Sequence, residues 1–403
     1  MRDIAIVSFS QLPSVDEIQE ADEAELLQPV TSDAMKQVGL SQSDIGFTCS
    51  GSSDYLIGRA FSFVAAVDGL AAWPPIRESH VEMDGAFALF EAWVRLLHGD
   101  IDTALVYSFG KSSMGPIPDV LNVQNDPYYV QPLGLDSISS AALQAQAMLD
   151  ARMATEKDFA AVAVRSREKA ADNPNAHVRD PLTVEAILDE PYLSSPLRPS
   201  LCSPFSDSAA AVVLAAGDKA KELVKRPAWI RGIDHRTEPH SLGQRELTRS
   251  SSAKLAAEKA GVGKGKVDVA ELHAPFAHQE LILREALGLG DEVDVNPSGG
   301  ALCANSTMTA GLIRFGEAAR RILDGKADRA VGNSTPLPSD LRITVADLSD
   351  GFVNEQYNLV FTASGGTLPY SWSLASGDLP NGLVLESSGY LGGKPTNAGS
   401  LTF

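Results

Sequence analysis

The sequence predicts an α/β protein made of two duplicated halves, followed by a small all-β module, and three observations carry that prediction. Residues 79–111 read as a turn, a long amphipathic helix and an apolar strand. Ala86, Leu89, Phe90, Trp93, Leu96 and Leu97 recur at helical spacing, Gly99 is placed to end the helix, and residues 103–109 are largely apolar. The same succession returns roughly 225 residues later, in the manner of a duplication rather than a short-period repeat. There Ile322, Leu323, Asp324, Gly325, Lys326, Ala327 and Asp328 repeat the helix end, glycine and Asp-containing turn of Leu96, Leu97, His98, Gly99, Asp100, Ile101 and Asp102. Beyond residue 342 helical periodicity is lost, and short apolar alternations stand among Gly, Ser, Thr and Pro, which is a β signature.

In order along the chain, residues 4–9 form a short apolar strand, and residues 22–38 have a helical pattern that Pro29 interrupts early and Gly39 ends. Residues 45–49 are a second strand, closed by the polar turn of Ser50, Gly51, Ser52, Ser53 and Asp54. Residues 55–70 are helix-like up to Pro74 and Pro75. The organising helix follows, its small Gly85, Ala86 and Ala88 allowing close contact with a neighbour and its positive N-terminal end aimed at a pocket. Residues 112–139 read as a Pro- and Gly-rich loop, 140–152 and 156–171 as helices, and 173–203 as a long irregular cap. Residues 209–216 form an apolar strand and 218–224 a helix. In the second half, 229–234, 267–272 and 293–296 read as strands, and 251–260, 279–287 and 306–323 as helices. The expected domains are 1–225 with a cap insertion at about 112–203, a truncated second half at 226–335, and a β module at 342–403.

Composition sets the outer limits. A chain of 403 residues with 44% hydrophobic content can build a sizeable core, yet no apolar run approaches the ~20 residues of a membrane helix. A net charge of −19 argues against nucleic acid and leaves room for an anionic ligand held by a few local cations. Cys49, Cys202 and Cys303 make no CxxC pair and no disulfide scaffold, and the first residues lack a signal-peptide pattern, so a cytoplasmic location without a resident metal is expected.

Four stretches, residues 82–99, 206–215, 271–279 and 296–311, in this order and at this spacing, make the chain up to Gly332 resemble the thiolase superfamily. The branch is that of sterol-carrier-type thiolases and nonspecific lipid-transfer-like proteins. The resemblance implies a five-layered αβαβα fold from two similar halves, a homodimer, and coenzyme A thioesters as substrates. In true thiolases the turn before the first buried helix reads Cys-x-Ser-Gly, and its cysteine accepts the acyl group. Here the frame reads Glu82, Met83, Asp84 and Gly85, so Glu82 stands in the nucleophile's place. The family's Gly-His-Pro stretch is matched by Ala304, Asn305 and Ser306 if one loop residue is missing, which puts Asn305 where the activating histidine belongs; without that gap the position falls to Ser306. The histidine of the family's His-Asp-x-Phe turn is matched by His273, before Ala274, Pro275 and Phe276, and the final motif with a second cysteine is absent. Gly299 and Gly300 permit a close backbone approach or positive φ and are the candidate contacts to the coenzyme A thioester.

These departures shape the expected chemistry. Thiolytic acyl transfer needs a thiolate activated by an imidazole and a helix N-terminus. A carboxylate in its place suits proton abstraction, as in retro-aldol cleavage of a β-hydroxyacyl-CoA with donors holding the thioester oxygen. Some lipid-transfer-like relatives lacking the cysteine are such aldolases and work with a zinc-ribbon/OB-fold partner. Against this reading stand ordinary acyl-CoA acetyltransferase activity, a catalytically silent acyl-CoA or lipid-binding subunit, and a surface-binding protein with a relic α/β domain. Glu82 also fits a first-turn acid favoured by the helix dipole, Asp84 a helix cap, and Asn305 a residue that orders its turn. Cys303 is a weaker candidate for a replacement thiol, His80 and His278 are secondary candidates, and Arg59, Lys111 and Arg245 could meet coenzyme A phosphates.

Residues 342–403 resemble an immunoglobulin-like repeat found in bacterial surface and secreted proteins. Tyr357, Tyr370, Trp372, Pro380, Gly382, Gly389, Gly393, Pro395 and Gly399 carry the match, which ends at Phe403 within or just before the last strand.

Overall fold

The computed structural model describes residues 2–57, 61–70, 76–123, 125, 128, 130–239, 242–335, 342–343, 354–360, 363–364, 379–387 and 390–396. They belong to two units, Met1–Pro336 and Leu337–Phe403. The main elements of the first are β1 (Ile4–Gln11), α1 (Glu23–Gln37), β2 (Phe47–Gly51), β3 (Glu78–Val81), α2 (Gly85–Leu97), β4 (Thr103–Lys111), α3 (Ser137–Asp150) and α4 (Glu156–Ala170). There follow β5 (Asp207–Ala216), β6 (Ala228–Trp229), α5 (Ser251–Ala260), β7 (Val269–Leu272), α6 (Ala277–Leu287), β8 (Asp294–Val295), α7 (Ala310–Leu323) and β9 (Ala330–Asn333). One mixed sheet has the order β3-β2-β4-β5-β1-β6, and a second, parallel sheet has the order β8-β7-β9.

β5 explains why the larger sheet is covered on both faces, since all ten of its residues are buried. Ala209, Ala211, Val213 and Ala215 face α1, where Leu26, Leu27, Val30 and Ala34 pack. Ala210, Val212 and Leu214 face the opposite way, onto Ala88 and Leu89 of α2 and Leu312 and Ile313 of α7. The smaller sheet meets α7 through Glu271 and Arg314, while Ala270, Leu272 and Val295 on its outer face pack on Ala257 and Leu283 of α5 and α6. The succession of layers is α, β, α, β, α. Both α2 and α7 end before a left-handed glycine (Gly99, φ 91°; Gly325, φ 71°) and lead into a strand, as their shared sequence pattern predicts.

Several elements differ from expectation. The strand expected at 229–234 is only Ala228–Trp229, and it joins the first sheet, opposite Ile6 and Ala5 of β1. Gly232 then carries the chain against the carbonyl of Ala260, where a Cβ has no room, and among the described residues the second sheet has three strands. α1 runs through Pro29 without ending, because Asp22 and Glu25 form a capping box and Leu26, Leu27 and Val30 are buried around it. Residues 55–70 divide into two short helices, Asp54–Ile57 and Ser62–Asp68. The 112–139 loop contains the helix Ile117–Val123, and the 173–203 cap contains Val184–Asp189, capped by Thr183. α7 starts at Ala310, not 306, since Met308 at φ 67° makes a turn of the preceding residues.

In the second unit Tyr357–Val360 and Leu383–Leu385 flank Tyr390–Gly393 in an antiparallel sheet, and Arg342–Ile343 pairs with Ala363–Ser364. Tyr357 stands opposite Gly393. The expected Tyr370 and Trp372, with Gly389 and Gly399, lie outside the described residues.

Candidate active site

The two helices between the sheets, α2 and α7, begin at one junction. Asp84 caps α2, its Oδ1 accepting from the Ala86 N–H at 2.8 Å, while its Oδ2 accepts from the Gly311 N–H of α7 at 3.0 Å. The Gly85 N–H donates to the Met308 carbonyl at 2.8 Å. Thr309, which precedes α7, gives no side-chain cap, so one carboxylate serves both helix starts. A Cβ at Gly311 would run into Asp84 and Ser334, and one at Gly85 into Ser108 and Leu312. Asp84 is 2% exposed, and burial pushes its pKa up to about 6 against the pull of its two backbone donors.

His273 and Asn305 lie beside this junction. His273 follows β7, and its Nδ1 accepts from the Thr335 N–H at 3.3 Å. That leaves the proton on Nε2, which donates to Asn305 Oδ1 at 2.9 Å, and Asn305 Nδ2 in turn donates to Ser203 Oγ at 3.0 Å. Burial holds His273 neutral by lowering its pKa to about 4. Ser334, whose hydroxyl stands 3.5 Å from Asp84 Oδ1, is the residue before Thr335. One dipeptide at the end of β9 thus touches Asp84 on one side and His273 on the other.

Glu82 lies on the open side of the same turn, its side chain 51% exposed. Its Oε1 accepts from the Asp54 N–H at 2.6 Å, and Oε2 lies 3.2 Å from His80 Nε2. Among the described residues no hydrogen bond joins Glu82 to His273 or Asn305; Glu82 is two residues from Asp84, whose contact with Ser334 leads by way of Thr335 to His273. Sequence reasoning treated Asp84 as a local cap and missed its role in joining the helices. The sequence signal available was the near-identical layout of α2 and α7.

Gly299 and Gly300 have φ of 95° and 66°; a Cβ on Gly299 would come 2.7 Å from that of Ala170, and one on Gly300 2.8 Å from Asn296 Cγ. Both are buried in the turn that Asn296 ties to β7 through the Leu272 N–H. Burial raises all three thiols, Cys303 to about 11, Cys202 to about 12 and Cys49 further, so none is a thiolate at neutral pH. His278 is sealed beside Phe159 and Gln144, its pKa pushed down to about 3. Lys111 Nζ donates to the Ala21 carbonyl, Arg245 lies 3.9 Å from Glu238, and Arg59 is outside the described residues. No helix among the described residues is long and apolar enough to cross a membrane.

Residues 342–403 match a family model described as "Putative Ig domain". The acetyl-CoA acetyltransferase of Methanocaldococcus jannaschii is 28% identical over 351 residues, 79% of this chain and 89% of the relative. The 17-hydroxy-3-oxo-4-pregnene-20-carboxyl-CoA lyase of Mycobacterium tuberculosis is 26% identical over 71% of this chain and 77% of its own. Sterol carrier protein 2 of Gallus gallus is 24% identical over 78% of this chain and 64% of the relative. The solved Ltp2-ChsH2(DUF35) aldolase superposes with a TM-score of 0.67 at 21% identity, over 80% of this chain and 90% of that one. The chain therefore has thiolase and sterol carrier protein 2-like homologues, a thiolase-like mixed α/β fold, and an Ig-like segment at its C-terminal end.

Proposed function

We propose that this protein makes or breaks a carbon–carbon bond in the acyl-CoA thioester of a lipid or sterol side chain, by retro-aldol chemistry without a cysteine nucleophile. The observation that carries the reading is the head of α2, where Glu82, which the sequence resemblance matches to the thiolase nucleophile, is half exposed while every thiol is held protonated by burial. The names of two similar proteins, a CoA lyase and an aldolase, support it.

In the cleavage direction Glu82 takes the proton of a β-hydroxyl group. The Cα–Cβ bond breaks, its electron pair moves onto the thioester as an enolate, and a carbonyl product leaves. The Asn305 amide has one hydrogen beyond the one given to Ser203, and that hydrogen is the donor to the developing enolate oxygen. Neutral His273 fixes the amide by donating to its oxygen, and so sets which face of Asn305 offers hydrogen. Coenzyme A enters as part of the substrate, and contacts to it from the backbone of Gly299 and Gly300 belong to the same reading. A homodimer and a zinc-ribbon/OB-fold partner subunit belong to the same reading.

The test is turnover of 3-hydroxyacyl-CoAs, and of 3-ketoacyl-CoAs with free coenzyme A, with and without such a partner. Release of aldehyde or ketone from the hydroxy substrates should fall by about 10²-fold or more in Glu82→Ala and in His273→Ala. Thiolysis of keto substrates that survives Glu82→Ala rejects the assignment. The mutual hydrogen bonding of His273, Asn305 and Ser203 favours a second reading, a binding subunit, which saturable acyl-CoA binding with no turnover would identify.

A further inference from the structure

We propose that His80 is a positioning residue for Glu82 and that Ser50 braces its ring from the other nitrogen, a role that rests on Glu82 being the base. Ser50 on β2 is the register partner of His80 on β3 and of Tyr107 on β4, so the three residues form a row across parallel strands. Glu82 lies just past the end of β3, one residue beyond Val81, and folds back onto the first member of the row. Its ionised carboxylate only accepts, so the 3.2 Å contact requires the His80 proton on Nε2. In the neutral ring His80 Nδ1 is then a bare lone pair, and Ser50 Oγ, 3.0 Å away, donates to it. The chain of donors runs from Ser50 through His80 to Glu82.

The ring is fixed from its flat side as well. Phe63 stacks on His80 with centroids 4.5 Å apart and planes 13° from parallel, and the His80 side chain is 14% exposed. With the Asp54 N–H on Oε1 and His80 on Oε2, each oxygen of Glu82 has one fixed donor and a remaining lone pair to receive a substrate proton. A surface glutamate otherwise samples many rotamers, and proton abstraction depends on orientation as well as charge. The order serine, histidine, carboxylate is that of a hydrolytic triad, yet Ser50 is 2% exposed and closed in by β3 and β4. Its hydroxyl is therefore a fixture for the ring and not a nucleophile.

Two measurements on the full chain test this. Nitrogen-15 NMR of histidine-labelled protein reads the tautomer without any turnover. His80 should show a protonated Nε2 and a bare Nδ1, and Ser50→Ala, which removes the hydroxyl donor, should shift the Nδ1 resonance while Nε2 stays protonated. A protonated Nδ1 in the native protein, or an Nδ1 resonance unmoved by Ser50→Ala, overturns the chain of donors. In steady-state kinetics on the 3-hydroxyacyl-CoA that is turned over, His80→Phe keeps a ring against Phe63 and should lower kcat about tenfold while KM changes less than about twofold. His80→Gln, which retains an N–H donor, should recover part of that loss. Full kcat in His80→Phe alongside a large loss in Glu82→Ala overturns the positioning role alone. Full kcat in Glu82→Ala overturns the base, and with it the need to position one.

Discussion

Glu82 and Asp84 are two residues apart in a single turn, and the turn places them in opposite environments. Glu82 is half in water and bound by one backbone N–H and one imidazole, while Asp84 is sealed between two helix starts. Both are carboxylates at the head of α2, where the helix dipole favours negative charge. What separates them is which side of the backbone they leave from. The buried side joins α2 to α7, and the open side leaves the Glu82 carboxylate facing water. This division lets one turn hold two helix starts together through Asp84 while leaving Glu82 open to solvent.

The largest effect that tests the contrast is on stability. Asp84→Ala removes the acceptor for two buried N–H groups, those of Ala86 and Gly311, and should lower unfolding free energy by about 2–4 kcal/mol in urea titration. A loss below about 1 kcal/mol would show that the helix starts do not depend on a shared cap.

A somewhat smaller effect follows from proton linkage. Because the folded-state pKa of Asp84 is raised to about 6 from 3.8, the native state holds this proton more tightly than the unfolded chain. Its contribution is complete below about pH 4 and is lost as pH rises through 6, a change of roughly 3 kcal/mol. His273 and His278, with pKa values lowered to about 4 and 3, act in the opposite sense, since the unfolded state takes up their protons first as pH falls. The measurement is therefore the difference between wild type and Asp84→Asn. Wild-type stability relative to the variant should decline from pH 4 to pH 7, and a flat difference would show that the Asp84 proton is bound no more tightly in the fold.

Much of the fold was legible because its signals are local. The unbroken apolar run of β5, the stripe of α2 and the glycine after each repeated helix all lie within a few residues of what they specify. His273 and Asn305, which hydrogen-bond across 32 residues, were each singled out through a matched motif, and their pairing was not foreseen. What escaped depends on partners that no window contains. Asp84 finds Gly311 across 227 residues, and Ala228 finds Ile6 on the far edge of a sheet. The row of Tyr107, Ser50 and His80 exists only once three strands are in register. Pro29 and Met308 misled for a related reason, since burial overrides one in α1 and a turn before α7 exploits the other.

The smallest expected effect is the most useful control on the contrast. Glu82→Ala should change unfolding free energy by no more than about 0.5 kcal/mol, because water can replace a carboxylate that is already half exposed. Its one backbone donor, the Asp54 N–H, opens a helix of only four residues, and the Asp54 carboxylate continues to hold the Phe61 and Ser62 N–H groups without it. Glu82→Gln keeps an oxygen for that N–H and should be indistinguishable from wild type in the same titration. If Glu82→Ala instead costs more than about 2 kcal/mol, the acid is structural like its neighbour. Any loss of turnover would then report a disturbed turn, and the two carboxylates would share one role. Stability held within error in both variants, beside lost turnover, would place the difference between Glu82 and Asp84 in chemistry.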